Sequence, residues 1–81
     1  MELKDTIEMM NSDDYKERFK AEYHQTLTRF NNLYKLLIKH EAGTLDFVPS
    51  CPIELLKEQK MYMDNYIHVL EVRAEIEGIE L

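Results

Sequence analysis

Four polar side chains that could together bind an anion recur at helical spacing in the first half of the chain. Two arginines, a glutamate and a glutamine follow one another at intervals of four, three and four residues: Arg18, Glu22, Gln25 and Arg29. On a helix, this spacing gathers them on one side. Arginine holds phosphate and carboxylate oxygens with paired N–H donors. The spacing therefore indicates either an anion-binding stripe or a row of salt bridges.

A further arginine in the second half could join this stripe. A hairpin that turns near Phe47 would bring Arg18 and Glu22 opposite Arg73 and Glu75. These charges could close a salt-bridge network between subunits, or they could hold a small anion. The cost of burying unpaired charges favours the network.

In the anion-binding hypothesis, the arginines engage phosphates and Tyr15 stacks on a ring. Glu22 and Gln25 then orient the arginines or bind the edge of a base. All five tyrosines lie on or beside apolar stripes, which favours core or interface packing over base stacking. The predicted ligand-binding residues are Tyr15, Arg18, Glu22, Gln25, Arg29 and Arg73.

Neither a catalytic nor a metal-binding set stands out in the sequence. Cys51 lies at a predicted helix start, where the dipole favours a thiolate, but no histidine lies near it to act as a base. Capping is therefore the favoured interpretation of this cysteine. The three histidines, His24, His40 and His68, do not form the i, i+4 pair of a two-histidine metal site. We expect no enzyme activity, no metal and no cofactor.

Two helical segments in the first half must position these side chains. Leu3, Ile7 and Met10 have the spacing of a short amphipathic helix, which is predicted over 2–11. Ser12 is the predicted N-cap of the next helix. Residues 13–42 contain no Gly or Pro, and their apolar residues recur every three or four positions. This pattern predicts one helix about 45 Å long.

A loop over 43–51 and a third helix over 52–77 follow. Gly43 is expected to end the second helix, and Pro52 is expected to occupy the first position of the third. Gly78 ends the third helix. Three apolar loop residues are predicted to seal this closed end of the hairpin: Leu45, Phe47 and Val48.

Two apolar stripes run along the third helix. The main stripe consists of Ile53, Leu56, Met63, Ile67, Leu70 and Ala74. The second consists of Leu55, Tyr62, Tyr66, Val69 and Ile76. One stripe can pack antiparallel on the second helix, and the other needs the first helix or another subunit. The sequence therefore predicts an all-α fold, a single domain over 1–81 in which a short N-terminal helix precedes a long antiparallel helical hairpin, and association into a homo-oligomer.

The composition disfavours two classes of partner. The net charge is −6, from 16 acidic and 10 basic residues, and this opposes binding to nucleic-acid phosphates. The longest aliphatic run covers only residues 36–38, so no membrane-spanning helix is expected. The first residues lack a basic-then-apolar export pattern. We expect a cytoplasmic protein.

Four segments carry a resemblance to a known family: KDTIE at 4–8, SDDYKERFKAEY at 12–23, CPIELL at 51–56 and RAEIEGI at 73–79. Through them the chain resembles the small helical proteins called crAss-phage-related, which are common in phages and prophages of gut bacteria. The resemblance covers nearly the whole chain, and it implies a phage accessory protein rather than a housekeeping enzyme. The family name specifies no chemistry.

The predicted hairpin is also similar in architecture to phage anti-defence sponge proteins, which form oligomers and sequester immune signals. This similarity implies a protein that binds a cyclic nucleotide or an ADP-ribose-type signal without catalysis. Two other classes stay open: an acidic helical inhibitor or adaptor that binds a host protein, and a purely structural helical oligomer.

Overall fold

The computed structural model describes all 81 residues, and every regular element in it is helical. A 3₁₀ turn at Leu3–Thr6 leads into the one-turn helix α1 at Ile7–Met10. Two long helices follow, α2 at Tyr15–Ala42 and α3 at Ile53–Glu77. The all-α prediction is confirmed.

The N-terminal segment is less regular than the single helix predicted over 2–11. Glu2 and Asp5 form a reciprocal capping box, which favours a tight first turn, and the Thr6 hydroxyl donates to the Leu3 carbonyl at 2.7 Å. This local hydrogen bonding starts the segment as a 3₁₀ turn, and only one α-helical turn follows. Thr6 is fully buried where the segment packs against α2.

Helix α2 begins two residues later than predicted because Asp14, not Ser12, is its N-cap. The Asp14 carboxylate accepts a hydrogen bond from the Lys16 amide at 2.9 Å. Ser12 lies two residues earlier, and its hydroxyl accepts from the Asp14 amide at 3.0 Å. At the other end, Gly43 adopts the left-handed conformation (φ 77°) that closes the helix.

Helix α3 begins at Ile53, and Pro52 is its N-cap rather than its first helical residue. The ψ angle of Pro52 is 141°, which is extended, while its carbonyl accepts from the Leu55 and Leu56 amides. The loop before it does not seal the closed end as predicted. Leu45 is half-buried, but Phe47 is 54% exposed and Val48 is 92% exposed. No other segment of the chain covers these two side chains.

The core lies towards the open end of the hairpin, where the residues after α3 fold back onto the helices. Gly78 (φ 70°) turns the chain back, so that the Ile79 amide donates to the Ala74 carbonyl at 2.8 Å and the Ile79 side chain is buried. The buried cluster comprises Phe19, Tyr23, Ile67, Leu70, Ala74 and Ile79, with Leu27 and Phe30 packed against it. Ile79 therefore belongs to the core, whereas Glu80 and Leu81 after it are exposed.

The molecule is elongated for its length. Its extents are 43 × 24 × 18 Å and its radius of gyration is 14.9 Å, against about 12 Å for a compact domain of this size. Neither long helix carries an apolar stretch of the length needed to cross a bilayer.

The second apolar stripe of α3 has no cover within the chain. Its five side chains are each between 43% and 79% exposed, and we call them the outer stripe: Leu55, Tyr62, Tyr66, Val69 and Ile76. The main stripe faces α2, as its buried members Ile67, Leu70 and Ala74 demonstrate. The prediction that another subunit covers the outer stripe stays a prediction.

Candidate functional site at the open end of the hairpin

Three hydrogen bonds between tyrosines and carboxylates join α2 to α3 near the open end. The Tyr15 hydroxyl donates to Glu77 at 2.9 Å, and the Tyr23 hydroxyl donates to Glu71 at 2.8 Å. A third bond runs in the opposite direction, from the Tyr66 hydroxyl on α3 to a carboxylate oxygen of Glu22 on α2 at 2.5 Å. These bonds hold the two helices in one register. The Tyr15–Glu77 and Tyr66–Glu22 bonds lie along one edge of the helix pair, whereas Glu71 lies on the other side of α3.

Arg73 lies at the centre of this edge and is held on three sides. Its Nε donates to Glu77 at 3.2 Å, and its Nη2 donates to the Tyr15 hydroxyl oxygen at 2.6 Å. Its guanidinium carbon lies 4.9 Å from the centre of the Phe19 ring, within the range of a cation–π contact. The second terminal nitrogen, Nη1, makes no hydrogen bond within the chain.

The polar residues around this guanidinium form one group, which we call the open-end cluster: Tyr15, Glu22, Tyr66, Arg73 and Glu77. Its aromatic members remain accessible, with Tyr15 47% and Tyr66 43% exposed. The Arg73 side chain is 46% exposed. A cation fixed beside an accessible ring can bind an anionic group that is attached to a flat ring.

The environment keeps the tyrosine hydroxyls of this end protonated. The hydrogen bond to Glu77 raises the pKa of Tyr15, and the bond to Glu22 raises the pKa of Tyr66. For Tyr23, burial is the main cause and the bond to Glu71 adds to it, which raises its pKa to about 12. The bond to Glu77 also raises the pKa of Arg73. The hydroxyls therefore act as donors, and Arg73 is a permanent cation.

The structure brings together three of the six residues predicted for the site, namely Tyr15, Glu22 and Arg73. The other three lie elsewhere. Arg18 donates to the Ser12 carbonyl at 2.9 Å, where it closes the turn before α2. Gln25 donates to Thr6 at 2.9 Å and to the Met10 sulfur.

Arg29 is exposed and makes no hydrogen bond or ion pair within the chain. Within one chain, the three arginines thus do not converge on a single point. The spacing of Arg18, Glu22 and Arg29 nevertheless keeps them on one side of α2, next to the α3 edge that Glu22 contacts.

Two members of the open-end cluster were not among the predicted site residues. Glu77 could have been found, because it follows Arg73 by four residues, the spacing of a helical ion pair. The sequence-based hypothesis used Glu75 instead, which lies on another side of the helix. Tyr66 was predicted only as a member of the outer stripe, and its bond to Glu22 depends on how the two helices are rotated, which periodicity does not specify.

Charge is distributed unevenly between the two ends of the hairpin. Residues 35–60, which form the closed end, contain four basic and four acidic residues. The remainder of the chain contains six basic and twelve acidic residues and so carries the whole net charge of −6. Arg73 is thus a localised cation in an acidic surrounding.

Groups with catalytic or metal-binding potential are dispersed. No group of three or more His, Cys, Asp or Glu side chains is arranged to hold a metal ion. Cys51 is a half-buried free thiol. His24 packs edge-on against the Tyr23 ring at 5.2 Å between ring centres, and burial is the main cause that lowers its pKa.

The Sequestin family model matches residues 13–76, which is most of the chain. The chain belongs to the Sequestin family. The matched region holds the whole of α2, the loop and all but the last residue of α3, and it leaves out the N-terminal segment. The family name indicates a sequestering role, and hence binding rather than catalysis. No curated protein and no solved structure matches the chain.

Proposed function

We propose that this member of the Sequestin family is a phage-encoded anti-defence protein, from the crAss-phage-related group, that sequesters a small anionic nucleotide signal. The ligand is a cyclic nucleotide or an ADP-ribose-type molecule in the cytoplasm of the bacterial host. It is bound and withheld without a chemical step. Family membership supports sequestration, and the open-end cluster supports an anionic ligand with a flat ring.

The observation that carries this proposal is that Arg73 is fixed beside the accessible ring of Tyr15, in the same cluster as the accessible Tyr66. Its guanidinium is already oriented by Phe19 and Tyr15, so little side-chain entropy is lost when it engages a phosphate. Its Nη1 is free to donate at once. A phosphate can also replace the exposed Glu77 as the partner of Nε, because an exposed ion pair contributes only about 0–1 kcal/mol.

In the proposed complex the rings of Tyr15 and Tyr66 flank a base. Stacking of a base on an aromatic side chain contributes about 1–3 kcal/mol. Glu22, which accepts from the Tyr66 hydroxyl, keeps that ring in place. The other three predicted residues lie outside the open-end cluster. Arg18 and Arg29 add positive charge, and Gln25 anchors the N-terminal segment against α2.

Self-association completes the proposed site. Tyr66 belongs both to the open-end cluster and to the outer stripe, so a second subunit that covers the stripe also borders the cluster. The stripe runs along most of α3, and an 81-residue monomer with nine buried residues gains stability from covering it. The exposed arginines of α2, Arg18 and Arg29, lie on the side of that helix next to this edge. They thereby add positive charge at a subunit boundary.

Titration calorimetry with cyclic dinucleotides, cyclic trinucleotides and ADP-ribose derivatives tests the proposal. We expect binding of at least one of them, and Arg73→Gln should weaken it by about tenfold or more. Lys16→Gln is the matched control, because Lys16 is exposed, makes no ion pair and carries the same charge. Absence of binding to every compound, or equal affinity of the two variants, would contradict the proposal.

The acidic charge of the open half favours a second candidate function, an inhibitor or adaptor that covers a basic surface of a host protein. Affinity capture from infected cells separates the two functions. An adaptor recovers a stoichiometric host protein, whereas the proposed sequestering protein recovers a small molecule.

The bonds of Arg73 to Glu77 and Tyr15 favour a third candidate, a purely structural oligomer. In that case, Arg73→Gln lowers the stability and the oligomer size and changes no ligand affinity.

A further inference from the structure

The largest cavity of the molecule lies at the closed end of the hairpin, away from the open-end cluster. It has a volume of about 630 Å³ and opens between the last turns of α2 and the first turns of α3. Ligand pockets in proteins range from about 300 to 1,000 Å³. Residues 15 and 37 are separated by 22 helical residues, so the cavity lies about 30 Å from Tyr15 along α2.

Basic side chains and apolar surface share the wall of this cavity. Leu37, which is buried, and Ile38, which is half exposed, contribute apolar surface. Lys57, Lys60 and His40 contribute donors, and Glu41 is the single acidic group on the wall. The wall therefore has an excess of positive charge, although the protein as a whole is acidic.

Lys60 is held in position by aromatic rings rather than by a carboxylate. Its Nζ lies 5.0 Å from the centre of the Tyr34 ring and 5.9 Å from that of Phe30. The two rings stack on each other with 6.2 Å between centres and an angle of 28°. Lys60 forms no salt bridge, so its ammonium is oriented and still available to an anion.

Lys57 is also only weakly engaged. Its single salt bridge is with Glu54, at 4.0 Å, and both side chains are mostly exposed. A pair of this kind contributes little and exchanges readily for a stronger anion. Since residues 35–60 carry no net charge, an approaching anion meets less repulsion here than at the acidic open half.

We propose that this cavity is a second ligand site, which binds a phosphate monoester attached to a flat ring, such as a nucleoside monophosphate. The phosphate lies between the ammonium groups of Lys57 and Lys60, and His40 donates from its ring nitrogen. The ligand ring lies against Tyr34 and Ile38, which are 45% and 47% exposed. This site does not depend on the open-end cluster and extends the binding capacity beyond the function proposed above.

Amide-resolved NMR titration of the full chain with adenosine 5′-monophosphate tests the site. We expect the amide shifts to centre on residues 34–41 and 57–60. Adenosine, which lacks the phosphate, should bind about tenfold more weakly or worse, because it forms no bonds to the lysines. Shifts centred on the open-end cluster, or no shifts at all, would overturn the proposal.

Two variants with the same change in charge sharpen this test. Replacing both cavity lysines, Lys57→Gln with Lys60→Gln, should weaken the binding of adenosine 5′-monophosphate by about tenfold or more. The control pair, Lys35→Gln with Lys39→Gln, is on the opposite side of α2 from Leu37 and should leave the affinity within about twofold. Equal losses of affinity in the two double variants would indicate only non-specific electrostatic attraction and would overturn the proposed site.

Two further variants guard the interpretation. Lys57 contacts no aromatic ring. The single variant Lys57→Gln should therefore weaken the binding of adenosine 5′-monophosphate even if the double variant folds poorly. Arg73→Gln should not change the affinity for adenosine 5′-monophosphate. A loss of binding in Arg73→Gln, with Lys57→Gln unchanged, would place the phosphate at the open end and overturn this inference while supporting the first proposal.

Discussion

The two ends of the hairpin use the same pair of helices for different purposes. At the open end, six buried residues and three tyrosine–carboxylate bonds hold α2 against α3, and the surface around Arg73 is acidic. At the closed end, the helices leave a cavity, the charges balance, and the apolar loop residues Phe47 and Val48 are exposed. The difference indicates that folding stability is concentrated at the open end.

The largest expected effect comes from opening the core at the open end. Leu70 is fully buried in α3, and Leu70→Ala should lower the free energy of unfolding by about 2–5 kcal/mol. The control Leu55→Ala lies on the same helix but is 54% exposed, so it should cost much less in a monomeric state. Urea denaturation followed by circular dichroism measures both. Similar losses in the two variants would contradict the assignment of the core.

The two left-handed glycines allow a direct comparison of the ends. Gly43 and Gly78 have φ angles of 77° and 70°, and an added Cβ would meet nothing within 4 Å at either position. Alanine should therefore cost about 1–2 kcal/mol at each through backbone strain alone. Gly78→Ala should cost more than Gly43→Ala, because the turn at Gly78 also carries Ile79 into the core. Thermal unfolding of both variants provides the comparison, and an equal or reversed order would contradict it.

Tyr23 links the stability of the open end to pH. Its pKa is raised to about 12 in the folded protein, above the ordinary value of 10. Folding thus favours the protonated hydroxyl. Its contribution to the free energy of unfolding is complete below pH 10 and is lost as the pH rises from 10 through 12. Tyr23→Phe should cost about 1 kcal/mol at neutral pH and should reduce the loss of stability above pH 10. Urea midpoints at pH 7 and pH 11 test this, with Tyr34→Phe, a half-exposed tyrosine without a carboxylate partner, as the control. An unchanged alkaline loss in Tyr23→Phe would exclude this tyrosine as its source.

The smallest effect is expected in the loop of the closed end. Val48 is 92% exposed and is not covered by the rest of the chain, so Val48→Ser should change the free energy of unfolding by no more than about 0.5 kcal/mol. Chemical denaturation at low protein concentration measures the monomer. A loss above that range would mean that the loop does seal the closed end, as the sequence suggested.

Much of the architecture could be read from the sequence because it depends on local patterns. The three-and-four spacing of apolar residues marks the two long helices, and Gly43 and Gly78 mark their ends. The starts of the helices were less predictable. Ser12 and Asp14 are both acceptable N-caps for α2, and Pro52 is acceptable as the N-cap or as the first residue of α3, so backbone geometry decides each case.

The site was only partly predictable because it depends on contacts between distant residues. Tyr15 and Arg73 were predicted from residue type and from the register of a hairpin. The bonds that complete the cluster, from Tyr66 to Glu22 and from Tyr15 to Glu77, span 44 and 62 residues. Their formation depends on the rotation of each helix about its axis, which periodicity does not define to the accuracy of one hydrogen bond.

Native mass spectrometry tests the central claim most directly. The protein is mixed with a cyclic nucleotide or an ADP-ribose derivative that binds to it in titration calorimetry. The account predicts a homo-oligomer that carries the mass of the intact ligand, and denaturation should release that ligand unchanged. Arg73→Gln should keep the oligomer and lose the ligand mass. A monomer without added mass, or a released ligand of altered mass, would contradict sequestration by an oligomeric binding protein.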